Sequence, residues 1–477
     1  MNMAEFYQWG IRVTEVILVW YSFLLNVLYL GLAFIAFRIV TRHCLRNIYG
    51  GFEDISKSPL TPAITVLVPA HNEAVGICTT VNNLLHADFM RFEVIVINDG
   101  STDGTIDVLK KTFRLTPDKL PAESALPTET VRAVYHSATN HNLIVIDKRN
   151  GGKSDALNAG LNLARYPYFC TVDADAMLEP DALQRVIRPV VESPVRVIAV
   201  GGIVRIANGC RIEKGRVAEV DLPWAPLPIF QIVEYFRAFL CGRTGLSHIN
   251  ALMIISGAFG LFERSLVMEI GGYKVGTVGE DMDLVTRLHD LMVKKGERDY
   301  GIEFVPDPVC WTESPTSLRV LTRQRRRWQK GLLEVLADHS HMCFNIRYGW
   351  LGMFGYPFLL IFEGWGILIE TLGYLVFVAG WWIDAIQSDF MVAYFICAVL
   401  GGTLLSLTGI MLGEMTPREY PKFGHWFRLI AYAIIENFGY RQMISFLRLA
   451  GTMDFLMGRG EWGRMEREGL SRRRTRA

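Results

Sequence analysis

The sequence of 477 residues lacks several motifs that would point to common functions. Its eight cysteines never form a Cys-x-x-Cys pair, so neither a zinc site nor a disulfide framework is indicated. No Gly-x-Gly-x-x-Gly turn occurs in the middle of the chain, residues 46–330, and Asp147 stands where a P-loop ending in Gly152-Lys153-Ser154 would need a glycine. These absences exclude dinucleotide and P-loop sites. The net charge of +1 argues against nucleic acid as a partner.

Charged residues are also missing from one long stretch near the N-terminus. Val16 to Phe37 contains none and is long enough to cross a bilayer as one helix. Arg38, Arg42 and Arg46 follow it, and positive residues favour the cytoplasmic side. We therefore expect the N-terminus outside and the bulk of the chain in the cytoplasm. No small-residue cleavage site follows, so residues 1–45 are expected to be an anchor and not a signal peptide.

The last third of the chain contains two apolar stretches without lysine or arginine. These stretches, Leu351–Trp382 and Met391–Leu412, predict two further crossings within a transmembrane region over residues 350–412. Segments of mixed polarity flank this region. They predict an interfacial helix at 331–349 and, over 413–477, an interfacial helix and a cytoplasmic basic tail. The expected location is therefore the inner (plasma) membrane, with several crossings.

Two carboxylates, Glu363 and Glu370, interrupt the first of these stretches. Carboxylates at membrane depth are costly. They are expected either to line a water-filled path or to pair with arginines near a boundary of the membrane, and the sequence leaves both alternatives open.

The middle of the chain has the pattern of a parallel sheet with crossover helices. It contains short β-branched apolar runs that end in polar turns, at Ile64–Pro69, Phe92–Asn98, Leu143–Asp147 and Tyr168–Asp173. Residues 46–330 are therefore predicted to form an α/β domain inserted between the membrane segments. In such open sheets ligands bind beyond the carboxyl ends of the strands.

Polar residues follow the predicted strands at that edge. Asn72 and Glu73 follow the first strand, and Asp99 follows the second. Lys153 begins a helical segment after two glycines, where backbone N–H groups and an ammonium could meet a pyrophosphate. Each of these residues alone also fits a helix cap, a turn or a solvated surface.

Asp173 and Asp175, after the fourth strand, form the candidate metal site. Residues two apart in an extended strand point the same way, and hard carboxylate oxygens suit Mg²⁺ or Mn²⁺. Two carboxylates do not complete an octahedral shell, so water and substrate phosphates would supply the rest. This donor set fits a cation bound together with a nucleotide diphosphate.

Two later stretches carry further candidates. Ser256–Gly260 is rich in small residues and includes Phe259, so a backbone and a bulky ligand could approach closely there. Glu280 and Asp281 begin a predicted helix. Acidic residues in a first turn ordinarily serve the helix dipole, but a carboxylate there can also act as a general base. His289, further along this helix, is expected to be structural.

The stretch Arg323–Trp328 predicts a helix whose one face presents Gln324, Arg327 and Trp328. Arginine matches phosphate oxygens, and an indole ring packs against the apolar face of a sugar. The alternative is a basic helix on an anionic membrane.

These motifs, in this order, resemble those of the membrane-integrated, processive family-2 glycosyltransferases, which include the cellulose, hyaluronan, chitin and poly-N-acetylglucosamine synthases. The resemblance implies a Rossmann-like fold of the glycosyltransferase A type and inverting transfer from a nucleotide sugar. One departure is Gly279. Many family members have threonine at this position.

The resemblance also implies a role for each motif. Asp281, beside Glu280, would be the catalytic base, and Asp175 with Asp173 would bind the metal on the diphosphate. Donor binding would fall to Asn72, Glu73, Asp99, Lys153, Asp173 and Arg327. Acceptor binding would fall to Gln324, Trp328 and Phe259.

The implied activity is polymerisation of sugar from UDP-glucose or UDP-N-acetylglucosamine into a cell-surface polysaccharide that passes into the membrane. Its partners would be the UDP-sugar, the growing glycan and the lipid bilayer. Because three crossings are few to enclose a polysaccharide path, that path would be completed by the long Leu351–Trp382 segment, by a second copy of the chain or by a small accessory membrane subunit. The alternatives are transfer of a single sugar to a lipid-linked acceptor and a membrane scaffold without activity.

Overall fold

The structure, a computed structural model, describes residues 3–49, 58–119, 124–213, 215–382, 388–416 and 420–458. The predicted basic tail lies outside the described residues. Within them the chain forms twelve strands. They are β1 (Ile64–Ala70), β2 (Phe92–Asp99), β3 (Leu115–Asp118), β4 (Val131–Ser137), β5 (Leu143–Lys148), β6 (Tyr168–Val172), β7 (Met177–Leu178), β8 (Arg196–Ile206), β9 (Arg211–Glu213), β10 (Arg216–Glu219), β11 (Phe259–Glu263) and β12 (Tyr300–Thr312).

Ten strands form one sheet in the order β3-β4-β5-β2-β1-β6-β11-β8-β12-β7, and β9 pairs with β10 in a separate hairpin. The parallel centre consists of β5, β2, β1 and β6. The apolar residues of β1 and β2 are buried, as expected of central parallel strands that are covered on both faces. These four strands are the predicted ones, and the α/β fold of the glycosyltransferase A type is confirmed.

The chain leaves β1 toward β2 and β5 on one side and returns to β6 on the other side. Ligands in open α/β sheets bind at such a reversal of strand order, beyond the carboxyl ends. The fold therefore places a site where β1, β2 and β6 end.

Sixteen α-helices are described in these ranges. They are α1 (Met3–Tyr49), α2 (Ile77–Leu85), α3 (Thr105–Phe113), α4 (Lys153–Leu163), α5 (Ala182–Glu192), α6 (Pro226–Tyr235), α7 (Thr244–His248), α8 (Arg264–Glu269), α9 (Glu280–Lys294), α10 (Leu318–Asp338), α11 (Tyr356–Phe358), α12 (Gly366–Trp382), α13 (Ser388–Tyr394), α14 (Gly401–Met415), α15 (Phe423–Ile435) and α16 (Tyr440–Leu456). Turns of π-helix lie at Phe236–Arg243, Leu351–Gly355, Leu359–Trp365 and Phe395–Leu400, and 3-10 turns at Ser340–Met342 and Ile346–Tyr348.

Three helical segments are long and apolar enough to cross a membrane: Trp9–Arg46, Leu351–Trp382 and Ser388–Met415. They coincide with the three predicted crossings. The second segment contains π-helical turns before α12.

The predicted interfacial segments have different boundaries in the structure. The helix expected at 331–349 is the second half of α10, which continues without a break from the Arg323–Trp328 motif to Asp338. The region after residue 412 contains two helices, α15 and α16, separated by a turn in which Gly439 has a φ of +118°. A positive φ is strained for residues with a β-carbon, so glycine ends one helix and starts the next there.

One hydrophobic core joins the sheet to the membrane-type helices. It contains Leu32 and Ala36 of α1, Leu405 of α14 and Phe236 beside α6 together with the strand residues. The helices therefore pack directly on the α/β domain and are not a detached tail.

The carboxylate Glu363 pairs with Arg448 at 3.0 Å and accepts a hydrogen bond from the Tyr29 hydroxyl. Of the two alternatives that the sequence left open, pairing with an arginine is thus the one found for Glu363. Glu370 instead accepts a hydrogen bond from the Ser445 hydroxyl at 2.8 Å.

A second buried cluster surrounds Glu436 in the same region. Its carboxylate lies 2.7 Å from Arg237 and 2.6 Å from Arg441 and accepts a hydrogen bond from Ser406 at 2.7 Å. Buried charges are stable when paired and hydrogen-bonded in this way.

Candidate active site

Lys153 connects three segments at the carboxyl edge of the sheet. Its Nζ lies 2.6 Å from the Asp173 carboxylate and 3.9 Å from the Glu280 carboxylate, and it donates to the Gly257 carbonyl at 3.1 Å. It stands at the start of α4 because Gly152, with a φ of +89°, turns the chain into the helix in a conformation that favours glycine. The ammonium therefore lies among the ends of β6, β11 and α9.

The charges around Lys153 act on its pKa and on that of Glu280. Burial alone would lower the pKa of Lys153, but the carboxylates of Asp173, Glu280 and Asp281 outweigh it and raise the pKa. Burial raises the pKa of Glu280, and Asp281 adds to this, while Lys153 and Arg327 act in the opposite direction. The site thus maintains a charged lysine beside closely spaced carboxylates.

Asp281 occupies the first turn of α9. Its Oδ1 accepts from its neighbour's backbone N–H, that of Met282, at 2.8 Å, and its Oδ2 accepts from the Gly257 N–H at 3.2 Å. A β-carbon at Gly257 would lie 3.1 Å from the Lys153 Nζ and 3.6 Å from Asp281 Oδ2. A β-carbon there would crowd the lysine ammonium, so the absence of a side chain helps this loop to pass between the lysine and the carboxylate.

Asp173 and Asp175 lie in the turn between β6 and β7, not within a strand as expected. The alternation of side chains along a strand therefore does not apply to them. Burial first, and then the charges of both carboxylates, raise the pKa of the Cys310 thiol on β12. Both carboxylates thus act on the same thiol, although they lie in a turn and not in a strand.

The donor set at this point suits a divalent cation only in part. Among the described residues no group of three His, Cys, Asp or Glu side chains is placed to bind a metal. Two carboxylates beside an open site fit a magnesium or manganese ion that takes its other oxygen ligands from a diphosphate and water. Asp173 and Asp175 are the residues that would bind it.

Asp99 shapes the loop that leads into α4. Its carboxylate accepts from the N–H groups of Gly151 and Gly152 at 3.0 and 2.8 Å, and from the Lys148 ammonium at 2.7 Å. Lys148 is fully buried and also pairs with Asp155. Asp99 therefore holds the backbone that positions Lys153, and its predicted contact with the donor stays a prediction.

Asn72 also organises a loop. It has a φ of +59°, and its side-chain oxygen accepts from the N–H groups of Thr102 and Asp103 at 2.7 and 3.3 Å. The neighbouring Glu73 binds the Thr105 hydroxyl through its backbone N–H at 3.0 Å. Both residues lie where β1 and β2 end, beside the reversal of strand order.

Helix α10 carries the predicted acceptor face. Arg327 is exposed and lies near enough to Glu280 to lower that group's pKa. Trp328 is 41% exposed, with the Arg325 guanidinium 4.6 Å from the centre of its ring. The Gln324 Oε1 is buried and has no hydrogen-bond partner among the described residues. An amide, a guanidinium and an exposed indole thus share one face, as the spacing predicted.

A pair of glycines sets the contact between α10 and the start of α9. A β-carbon at Gly279 would lie 2.9 Å from the Gly331 carbonyl oxygen, and one at Gly331 would lie 3.0 Å from the Gly279 nitrogen. The two backbones therefore touch without intervening side chains. This contact brings Arg327 toward Glu280, and it accounts for glycine where many family members have threonine.

Phe259 is placed elsewhere than expected. It begins strand β11, pairs with Val172, and its side chain is fully buried in the core. The small residues before it form a loop at the site, but a ring inside the sheet is not exposed for contact with a sugar. Its backbone N–H is bonded to the Ser256 carbonyl at 3.1 Å.

Two site residues were not found by reasoning from the sequence. Lys148 could have been noticed as a charge ending a buried strand. No pattern in the sequence indicated Arg243. It ends a π-helical turn, and its guanidinium lies 4.0 Å from the centre of the Phe239 ring. The charge of Asp281 acts on its pKa. Burial lowers the pKa of Arg243 to about 10, and Asp281 opposes this.

The sheet order, with a lysine, clustered carboxylates and an arginine at the carboxyl edge, fits the glycosyltransferase A type. Residues 62–331, more than half of the chain, match the family described as Glycosyltransferase like family 2. The protein belongs to this family.

The chain is similar to the poly-beta-1,6-N-acetyl-D-glucosamine synthase of Staphylococcus aureus (strain COL). The identity is 30% over 274 residues, which cover 57% of this chain and 55% of that one. The synthase of the same name from Staphylococcus epidermidis is 28% identical over the same shares. The matched region thus spans about half the length of these relatives.

Two solved structures are also similar. The mannosyltransferase PcManGT from Pyrobaculum calidifontis, in complex with GDP-Man and Mn2+, is 18% identical with a TM-score of 0.49, covering 93% of this chain and 99% of that chain. S. aureus TarS 1-349 in complex with UDP-GlcNAc is 13% identical with a TM-score of 0.38, covering 83% and 92%.

Proposed function

We propose that this protein is an inverting, processive β-glycosyltransferase that extends a polysaccharide from a UDP-sugar at the cytoplasmic face of the plasma membrane. The observation that carries the proposal is the convergence of Lys153, Asp173, Glu280, Asp281 and the exposed Arg327 on one edge of the sheet. Of UDP-glucose and UDP-N-acetylglucosamine, the latter is favoured because the S. aureus relative is a poly-beta-1,6-N-acetyl-D-glucosamine synthase.

In this proposal Asp281 removes the proton from the acceptor hydroxyl as that oxygen attacks C1 of the donor sugar. Its carboxylate is oriented by the Gly257 and Met282 N–H groups. As the bond from C1 to the diphosphate breaks, negative charge grows on the leaving group, where Lys153 and Arg327 stabilise it. A divalent cation bound by Asp173 and Asp175 would supply further positive charge there.

The acceptor would bind along α10. The exposed face of Trp328 offers a surface for stacking a sugar, and the Gln324 Oε1 can accept a hydrogen bond from a sugar hydroxyl. A place for the growing chain end favours repeated extension over single addition. Transfer of one sugar to a lipid-linked acceptor is the second candidate, because the three apolar helices would also keep the site close to lipid.

Three spanning helices are few to surround a hydroxylated polymer, since its polar groups need partners on all sides within lipid. The proposal therefore includes a second copy of the chain or a small accessory membrane subunit that completes the path.

The test is incubation of the purified protein with labelled UDP-glucose or UDP-N-acetylglucosamine, followed by sizing of the products. A ladder or a polymer is expected. A single lipid-linked addition would support the second candidate, and absence of UDP release with either donor would overturn both. Inclusion of a chelator in parallel reactions tests the need for a divalent cation.

A further inference from the structure

Helix α10 binds other elements through the residues between its acceptor-facing ones. The side chains of Arg325, Arg326 and Gln329 each make polar contacts with elements outside α10. The partners of Arg326 and Gln329 lie beyond residue 331, where the family match ends.

Two of these contacts are made by α16. The Arg326 guanidinium donates through Nε and Nη2 to the two oxygens of Asp454, at 2.9 and 2.8 Å. Arg448, less than two turns earlier in α16, donates to the Gln329 Oε1 at 2.8 Å. A guanidinium and a carboxylate joined by two hydrogen bonds fix the relative orientation of the two side chains as well as their distance, because both bonds must form together.

The backbones of the two helices are in contact between these polar pairs. A β-carbon at Gly451 would lie 2.5 Å from the Arg326 carbonyl oxygen and 2.9 Å from the Gln329 Cβ. Small residues permit such close approach, and close approach leaves little freedom for one helix to shift along the other.

The contacts continue into the second candidate spanning segment. Arg448 pairs with Glu363 at 3.0 Å, and the Gln329 amide donates to the Gly364 carbonyl at 2.9 Å. The other end of the motif is also bound, because Arg325 makes two bonds to Glu234 at 2.6 and 2.9 Å. The helix that carries the acceptor-facing residues is thus held in place by contacts with α16, with the second candidate spanning segment and with Glu234.

We propose that α16 positions the acceptor-binding face of α10 for glycosyl transfer, with Arg448 and Asp454 as positioning residues. This inference rests on the proposed function, since it assigns the acceptor to Gln324, Arg327 and Trp328. Arg448 and Asp454 do not themselves contact the substrate. They act by setting where Trp328 stands relative to Asp281, and a misplacement of about 1 Å can cost about a hundredfold in rate.

The test is a charge exchange between the two helices. Asp454→Arg and Arg326→Asp, each alone, are expected to lower the acceptor kcat/KM by about tenfold or more while the affinity for UDP stays within about twofold. The double variant restores the ion pair in reverse and is expected to recover most of the transfer. Asp454→Asn, which keeps the size of the side chain, serves if either single variant fails to fold.

The matched control is the ion pair between Lys274 and Asp338, at 2.6 Å, since Asp338 ends the same helix α10 far from the motif and both side chains are half exposed. Asp338→Asn is expected to leave transfer unchanged. The inference is overturned if the single variants transfer at the wild-type rate, if UDP affinity falls in parallel with transfer, or if the double variant stays as low as the single ones.

A wild-type protein without transferase activity would refute the proposed function instead. Hydrogen exchange then tests the positioning separately. Amides of residues 323–330 are expected to exchange faster in both single variants and at the wild-type rate in the double variant, and equal exchange in all four proteins would overturn the inference.

Discussion

Charged side chains cluster in two regions of this protein, and the two clusters are built differently. At the edge of the sheet, Lys153 and Asp173 pair at 2.6 Å while remaining 31% and 26% exposed, and carboxylates outnumber the nearby cations. Among the apolar helices, Glu436 is fully buried between Arg237 and Arg441. The first cluster is open and can exchange partners with a ligand. The second is closed and contributes to the packing of the helices.

The largest expected effect comes from removing the proton acceptor of the open cluster. Asp281→Asn is expected to lower transfer by about a hundredfold to ten-thousandfold, because an amide does not accept the acceptor's proton. UDP affinity, measured by calorimetry, should stay nearly unchanged. Turnover within about tenfold of wild type, a loss of under roughly 1.4 kcal/mol, would show that Asp281 is not the base.

Breaking the closed cluster should affect folding and not chemistry. Glu436→Gln leaves the partly buried Arg237 and Arg441 without their anion, so we expect a loss of about 3 kcal/mol in the free energy of unfolding. Denaturation in detergent measures it. The control is Glu297→Gln, whose pair with Arg196 is exposed on both sides and should contribute under about 1 kcal/mol. Similar losses in both variants would contradict the distinction between closed and exposed pairs.

A buried group that is neutral extends the comparison. His289 is fully buried between the Tyr300 hydroxyl and the Leu252 carbonyl, and burial lowers its pKa to about 4. Below its ordinary pKa of about 6.5 only the unfolded chain takes up the proton, so stability falls as the pH drops from about 6.5 toward 4, by up to about 3 kcal/mol.

The replacement His289→Gln removes this titration. We expect its unfolding free energy to be lower than that of wild type at pH 7 but flatter between pH 6.5 and 4. Parallel curves for the two proteins would show that His289 does not contribute to acid sensitivity.

A smaller effect is expected from removing one carboxylate of the open cluster. Asp175→Ala should weaken metal-dependent UDP binding by about tenfold, or 1.4 kcal/mol, and a chelator should weaken UDP binding to the wild-type protein in the same direction. Asp181→Ala, six residues further along and paired with Arg185 at 2.6 Å, is the control. Equal UDP affinity for Asp175→Ala and wild type, with magnesium or manganese present, would remove Asp175 from the metal site.

The open cluster was largely predictable from the sequence, and the closed one was not. The end of a strand can be recognised from neighbouring residues in the sequence alone. An apolar run followed by polar residues identifies Asp99 or Asp173 without knowledge of the fold. The pairing of Glu436 with Arg237 joins residues far apart in the chain, and no local pattern records it. Phe259 failed for a related reason: the glycines before it suggested a loop, but β11 pairing decided where its ring lies.

The contact between Gly279 and Gly331 has a consequence for chimeric enzymes. The two glycines lie in different segments of the chain. Gly279 precedes the helix that carries the proposed base Asp281, and Gly331 follows the Arg323–Trp328 motif. A graft that brings threonine to position 279, as in many family members, would meet the Gly331 carbonyl at 2.9 Å from its β-carbon. The two segments are therefore compatible only as a matched set, and hybrids divided between them would need to carry both partners from the same parent.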